Sequence, residues 1–330
     1  MKIYMINKLT KITPYIISAA SLIFAAQFLL QTLDSSLTTE NFYWISLIVL
    51  ISLLVFIGLR SEIKMVQQIK LKRADFLLPD LTKSFLVIVT SALATYFFTS
   101  IFNTTTIFSA SLICVIYTYV FPDHQLEAYS GTLAGMIGAY LCENIIVSVT
   151  TAGVTGLVFM LVKPYFKGVG GRGGSIPYVA TTLVVRVIFQ LEPRQQVPIE
   201  QAYVIPSLIA ICITGFLTYI LHEKGILTVV RSAMIIALIS SIVIPLEHYT
   251  LTTAIFAGTV VGMSVVDRID HYFHLLIINL ITFLLFIPSF HILDGIGGKL
   301  GILCLLSYYG SFGMKILIES FEIKKKVIDL

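Results

Sequence analysis

The sequence predicts an all-α, polytopic integral membrane protein of about 12 hydrophobic segments, organised as two inverted five-segment repeats preceded by an N-terminal helical hairpin. Three observations predict it. Of 330 residues, 57% are hydrophobic and only 12% charged, with mean hydropathy +0.93, whereas soluble domains carry roughly a quarter charged residues. Apolar runs of near-spanning length recur from residue 12 to residue 318. They are continuous rather than alternating, which selects helices over a barrel as the way to satisfy the backbone in lipid. The third observation is a glycine-rich heptapeptide written twice.

Gly168-Val-Gly-Gly-Arg-Gly-Gly174 and Gly295-Ile-Gly-Gly-Lys-Leu-Gly301 share the pattern Gly-x-Gly-Gly-basic-x-Gly at a spacing of 295 − 168 = 127. Gly131-Thr-Leu-Ala-Gly-Met136 and Gly258-Thr-Val-Val-Gly-Met263 keep that offset, and so does Leu78-Pro-Asp-Leu81 against Ile205-Pro-Ser-Leu208. Three matches in one register predict an internal duplication. Residues 76–191 form repeat A and 203–318 repeat B, joined by a polar, proline-bearing linker at 192–202.

In chain order, the segment 12–33 follows Lys2, Lys8 and Lys11; it is long for a signal peptide and lacks an evident cleavage site, so it reads as an anchored span. A second span at 43–59 closes a hairpin within residues 1–75. The stretch 60–73 places Ile63, Val66 and Ile69 at helical spacing among five basic residues, predicting an amphipathic helix on the inner membrane surface or a topology anchor. Repeat A then supplies spans at 82–100, 106–121, 129–145, 146–162 and 175–191. Repeat B supplies 203–221, 227–245, 251–266, 271–289 and 300–318, and residues 319–330 form a basic tail.

With both termini cytoplasmic, all 22 Lys and Arg except Arg186, Arg194 and Lys299 fall on the inner side of the plasma (inner) membrane. A scheme in which the Gly-Thr segments dip in and return leaves more of them outside. Five crossings between motif copies then place the heptapeptides on opposite sides. That is the inverted architecture in which one site is approached from either face. Cys114, Cys142, Cys212 and Cys304 lie singly in apolar stretches and read as packing residues. The net charge of +4 comes from juxtamembrane anchors and implies no nucleic acid.

Glycine-rich loops that open a helix expose backbone N–H groups, and a nearby cation reinforces their pull on anions. Gly170, Gly171 and Arg172, with Gly297, Gly298 and Lys299, are therefore candidate broken-helix loops on a substrate path; tight extramembrane turns are the alternative. Gly131/Gly135 and Gly258/Gly262 have small-xxx-small spacing for close helix packing. Thr132 and Thr259 are candidates to present hydroxyls to a permeant. Glu143 and Asp270, equivalent at the same offset, are candidates for proton or sodium coupling or simply solvated interfacial acids, and Arg186 for an intramembrane ion pair. Asp267, Asp270, His271 and His274 share helical turns but have no partner elsewhere, so neither a metal nor a cofactor is expected.

The twin motifs resemble the re-entrant Gly-Gly-x-Gly loops of glutamate/sodium and hydroxycarboxylate/sodium symporters. Gly170-Gly-Arg-Gly173 matches that pattern, while Gly297-Gly-Lys-Leu300 departs from it at its last position. The length and the two halves also resemble urea transporters, without their asparagine-proline signatures. The resemblance implies two inverted domains that each present one loop to substrate.

The expected function is a non-enzymatic membrane permease, transporter or channel, for a small polar or anionic solute, with sodium or proton coupling and homo-oligomerisation both open. A non-catalytic membrane scaffold is the alternative. A lipid-linked enzyme ranks lower, because no paired glutamates and no serine-arginine phosphate site occur.

Overall fold

Where the helices begin and end is set by threonine caps, prolines and glycines, and it recurs between the halves. A computed structural model describes residues 2–38, 42–68, 78–142, 145–194 and 198–328. The hairpin is Lys2–Thr38 (α1) and Phe42–Gln68 (α2). The first half is Leu78–Phe102 (α3), Thr106–Val120 (α4), Gln125–Ala134 (α5), Ile145–Val162 (α6) and Arg172–Thr182 (α7). A π-helical turn, Leu183–Ile188, ends α7. The second half is Gln201–Glu223 (α8), Val229–Val243 (α9), Tyr249–Gly262 (α10), Tyr272–Ser289 (α11) and Lys299–Ile328 (α12). There is no strand among the described residues.

Among the described residues, seven helices (α1, α2, α3, α6, α8, α11 and α12) contain stretches long and apolar enough to cross a membrane. The expectation of twelve full-length spans is not met. At about 1.5 Å per residue, the 10 residues of α5 reach only half of the ~30 Å hydrocarbon thickness. The 11 residues of α7 do little better, and α4, α9 and α10 have 15, 15 and 14.

The threonine caps reveal a register that the sequence hides. Thr105 caps α4 by accepting from the Phe108 N–H at 3.2 Å, and Thr228 caps α9 by accepting from Arg231 at 3.4 Å. These equivalent caps lie 228 − 105 = 123 apart, whereas the glycine motifs lie 127 apart. The threonines that the second Gly of each Gly-Thr motif packs against, Thr95 and Thr218, also differ by 218 − 95 = 123. The match of Pro79 to Pro206 at 127 is therefore not structural. Repeat B gains four residues between its second helix and its Gly-Thr motif, and α10 is correspondingly longer than α5.

Glycines let the short helices press against their long neighbours. A Cβ on Gly135 would meet Thr95 Cβ at 2.8 Å, and one on Gly262 would meet Thr218 Cβ at 2.6 Å, so α5 lies along α3 as α10 lies along α8. Helix α6 returns antiparallel to α3, bringing Lys163 to Asp80 at 2.9 Å. Some buried hydroxyls are satisfied inside their own helices, as in Ser111 to the Ile107 carbonyl (2.7 Å) and Thr282 to that of Ile278 (2.8 Å).

The hairpin packs on the second half. Gly58 of α2 meets Gly313 of α12, and Ser35 donates to the Pro288 carbonyl at 3.1 Å. The stretch expected to lie on the membrane surface instead begins as a continuation of α2. Ile63 and Val66 face the core, and buried Glu62 accepts both guanidinium arms of Arg268 at 3.0 and 3.1 Å. Residues 69–73, including Ile69, lie outside the described residues.

Candidate functional site

The heptapeptide pattern is explained by its backbone. The glycines at the first and fourth positions of each copy are left-handed: Gly168 (φ +81°) and Gly171 (+85°), Gly295 (+73°) and Gly298 (+81°). Residues with a Cβ rarely adopt this conformation. The glycine at the third position of each copy packs against the carbonyl end of the other half's short helix. A Cβ on Gly170 would sit 2.8 Å from the Val261 oxygen, and one on Gly297 would sit 2.5 Å from that of Leu133.

Two hydrogen bonds tie the halves together. The Gly138 N–H donates to the Gly295 carbonyl at 3.0 Å, and the Val265 N–H donates to that of Gly168, also at 3.0 Å. Adding 127 to Gly138 and Gly168 gives 265 and 295, so exchanging the halves turns one bond into the other. Side chains repeat the theme. The Tyr140 hydroxyl donates to the Asp294 carbonyl (2.5 Å), and Arg268 Nε donates to that of the equivalent Lys167 (3.2 Å).

Between these latches, α7 and α12 cross at Gly174 and Gly301. A Cβ on Gly174 would lie 2.7 Å from the Gly301 Cα. One on Gly171 would meet the Leu305 nitrogen at 2.6 Å, and one on Gly298 the Tyr178 nitrogen at 2.6 Å. Rising numbers on one helix meet falling numbers on the other, so these equivalent helices cross antiparallel. The second helices agree: Arg231, in the first turn of α9, donates to the Thr118 carbonyl near the end of α4 at 2.6 Å.

The basic residues of the motifs turn away from the crossing. Arg172 donates to the carbonyls of Val162 (3.2 Å) and Lys163 (2.7 Å), at the end of α6. Lys299 donates to those of Phe290 (2.8 Å) and Ile292 (2.9 Å), just past the end of α11. Each cation therefore satisfies orphan carbonyls at the C-terminus of the preceding helix, where positive charge is favoured. The expected anion-attracting role is at least partly displaced by this capping.

Two cavities flank the crossing. One, of about 270 Å³, lies against the second heptapeptide, with Thr106, Tyr140, Tyr249, Thr253, Asp294 and Lys299 in its wall. The other, of about 200 Å³, lies against the first, with Leu126, Tyr129, Arg172, Val229 and Met263 in its wall. Exchanging the halves relates the linings: Thr106 to Val229, Thr253 to Leu126, Met136 to Met263, Lys299 to Arg172. The larger cavity is the more polar one. At its Tyr140 wall the Arg194 guanidinium stacks on the ring at 4.2 Å.

Among the described residues, the other sequence candidates Thr132, Thr259, Asp270 and Arg186 do not line these cavities. Thr132 and Thr259 are fully buried and donate to the Tyr129 and Phe256 carbonyls at 3.0 and 2.8 Å, within their own helices. Asp270 is half-exposed and takes a 2.6 Å hydrogen bond from Lys315 that lowers its pKa; His274 lies 3.5 Å away. Arg186 is exposed in the π turn and reaches Gln31 when that amide presents its oxygen. Glu143 lies outside the described residues. Among the described residues, no group of three or more His, Cys, Asp or Glu is placed to hold a metal.

Sequence reasoning missed Glu127. It is buried in α5 and accepts from Ser84 at 3.0 Å, with Lys163 Nζ at 3.2 Å and His124 Nδ1 at 3.7 Å. Lys163 also contacts Asp80; burial opposes its charge, but the Asp80 hydrogen bond and Glu127 leave its pKa raised. The repeat equivalents of Glu127 are Thr250 or Ala254, so a search for paired acids passes over it. It falls between the expected spans 106–121 and 129–145, in the polar run from Asp123 to Glu127, so nothing in the sequence marked it as buried.

Comparison with known protein families, curated proteins and solved structures gives no match.

Proposed function

We propose that the chain is a multi-pass membrane permease whose two halves form an inverted repeat and pass a small polar or anionic solute between the two cavities. The observation that carries this reading is the pair of exchange-related cavities on opposite sides of the Gly174–Gly301 crossing. An antiparallel crossing of equivalent helices corresponds to a pseudo-twofold axis in the membrane plane, the arrangement used for alternating access. Large apolar side chains exposed on outward faces, such as Ile101, Ile205, Ile213 and Val243, suit contact with lipid. The short helices α5 and α10 are then broken crossings completed by irregular backbone lining protein or a cavity. In this reading the membrane is the plasma (inner) membrane, with both termini cytoplasmic.

The polar groups of the larger cavity (Thr106, Tyr249, Thr253 and Lys299) are the solute-recognition set in this reading. Glu127 with Lys163 is the candidate coupling pair, in place of Glu143 and Asp270. The test is flux into proteoliposomes, with urea, glycerol, formate, lactate and chloride as probes. Flux of at least one probe above empty vesicles, abolished by Thr106→Phe with the melting midpoint retained, is the expected result. Flux unchanged in Thr106→Phe overturns the proposed path.

A membrane scaffold is the second reading, favoured by the engagement of Arg172 and Lys299 in helix capping. Absence of flux for every probe in correctly folded protein moves the conclusion there.

A further inference from the structure

A second feature, sharing only Arg172 with the wall of the smaller cavity, is a groove of about 220 Å³ between α1, α6, α7 and α12. Its walls are apolar, with Ile17, Phe24, Leu161, Val179 and Leu305 among them. Its rim is open: Ile16 is 61% and Leu161 54% exposed. Four polar side chains also line it, Ser21, Arg172, Ser175 and Tyr309, and the two serines already donate to the carbonyls of Ile17 and Arg172. Arg172 is only 7% exposed and its Nε has no hydrogen-bond partner; Tyr309 is fully buried and its hydroxyl has none either. Buried donors without acceptors are costly, and the cost is greatest near a charge. What these two groups lack is an acceptor, and beside a guanidinium the favoured acceptor is anionic.

The surroundings agree in sign. Lys163 and Lys167 lie close in the chain at the same end of α6, and Lys167 is exposed. Two acids act on these donors, Glu127 on Arg172 and Glu62 on Tyr309, and each is already held, by Ser84 and Lys163 and by Arg268 respectively. A soluble anion would satisfy Arg172 and Tyr309 but leave the apolar groove unfilled. A lipid satisfies both parts, its chain along α1 and α6 and its head oxygens at the two donors.

We infer that this groove holds one anionic phospholipid, drawn from the leaflet at the end where α1 begins. The inference rests on the bilayer part of the proposed reading and not on transport, so lipid retention can hold even if every flux probe fails.

The test uses the full-length protein in nanodiscs of equal phosphatidylglycerol and phosphatidylcholine, followed by native mass spectrometry of the lipid retained after release. The expected result is one retained phosphatidylglycerol. Tyr309→Phe should weaken its retention about tenfold, the scale of one charge-assisted hydrogen bond. Ala20→Phe, which projects a ring into the groove from α1, should remove it, while Ile213→Phe on the exposed face of α8 should not. Melting midpoints identify any variant that misfolds, and Tyr309→Phe carries the test if Ala20→Phe does. Equal retention of phosphatidylcholine, or wild-type retention by the folded variants, overturns the inference. Displacement of the lipid by millimolar inorganic phosphate also overturns it, by marking a soluble-anion site.

Discussion

Replacing Gly301 by alanine tests whether α7 and α12 meet backbone to backbone. In an isolated helix the change stabilises by roughly 0.8–1 kcal/mol. Here the new Cβ would land on the Gly174 backbone, with no side chain able to swing aside. The crossing must open by about 1 Å, an overpacking cost of ~1–3 kcal/mol or more. The net expectation is a loss of about 2 kcal/mol. Gly310→Ala on the same helix is the control, because its Cβ would meet Val55 and Ile281 side-chain carbons at an ordinary 3.5 Å. That variant should be neutral or up to ~1 kcal/mol more stable. Reversible unfolding in mixed micelles measures both, and a difference of about 3 kcal/mol between them is expected. If Gly301→Ala unfolds together with Gly310→Ala, the helices are not in contact at this point and the partition between the cavities is wrongly placed.

Lys299→Met should destabilise by about 2–3 kcal/mol, since it strips charge-assisted donors from two carbonyls; an unchanged denaturation midpoint would show that water replaces the ammonium. Cysteines placed at exposed Lys167 and Arg194, in a background without the native four, should react with an impermeant maleimide from opposite faces of oriented vesicles. Labelling of both from one face would remove the crossing by α7 and its π turn. Lys315→Met should cost less than ~1 kcal/mol at neutral pH, because Lys315 and Asp270 are both half-exposed. The Lys315 hydrogen bond lowers the folded-state pKa of Asp270. Its contribution is thus full above the unfolded carboxyl value of ~3.9 and is lost as pH falls through the lower folded value. The gap between variant and wild type should close in strong acid.

The repeated motif was legible because the left-handed backbone at Gly168, Gly171, Gly295 and Gly298 favours glycine strongly, whereas lipid-facing positions accept any apolar side chain. That permissiveness made Pro79 and Pro206 misleading. In chains rich in leucine and isoleucine, short apolar matches arise at many offsets, and only the caps at Thr105 and Thr228 fix the register upstream. The direction in which Arg172 and Lys299 turn was not legible, because it depends on where the preceding helix stops. A trace remained: each donates to a carbonyl nine residues back, at Lys163 and Phe290. Glu127 escaped because reasoning from symmetry finds only what both copies share. Its partners come from three segments that folding brings together.

The four residues that lengthen α10 have a consequence for how the two halves share the chambers. An added turn raises that helix by about 6 Å, and the heightened stretch carries Tyr249, which with Thr253 walls only the roomier chamber. The two chambers match where the halves correspond, and the four extra residues give one of them a hydroxylated sill. Tyr249 and Thr253 of the second half there join Thr106 and Tyr140 of the first, so both halves wall the more polar chamber.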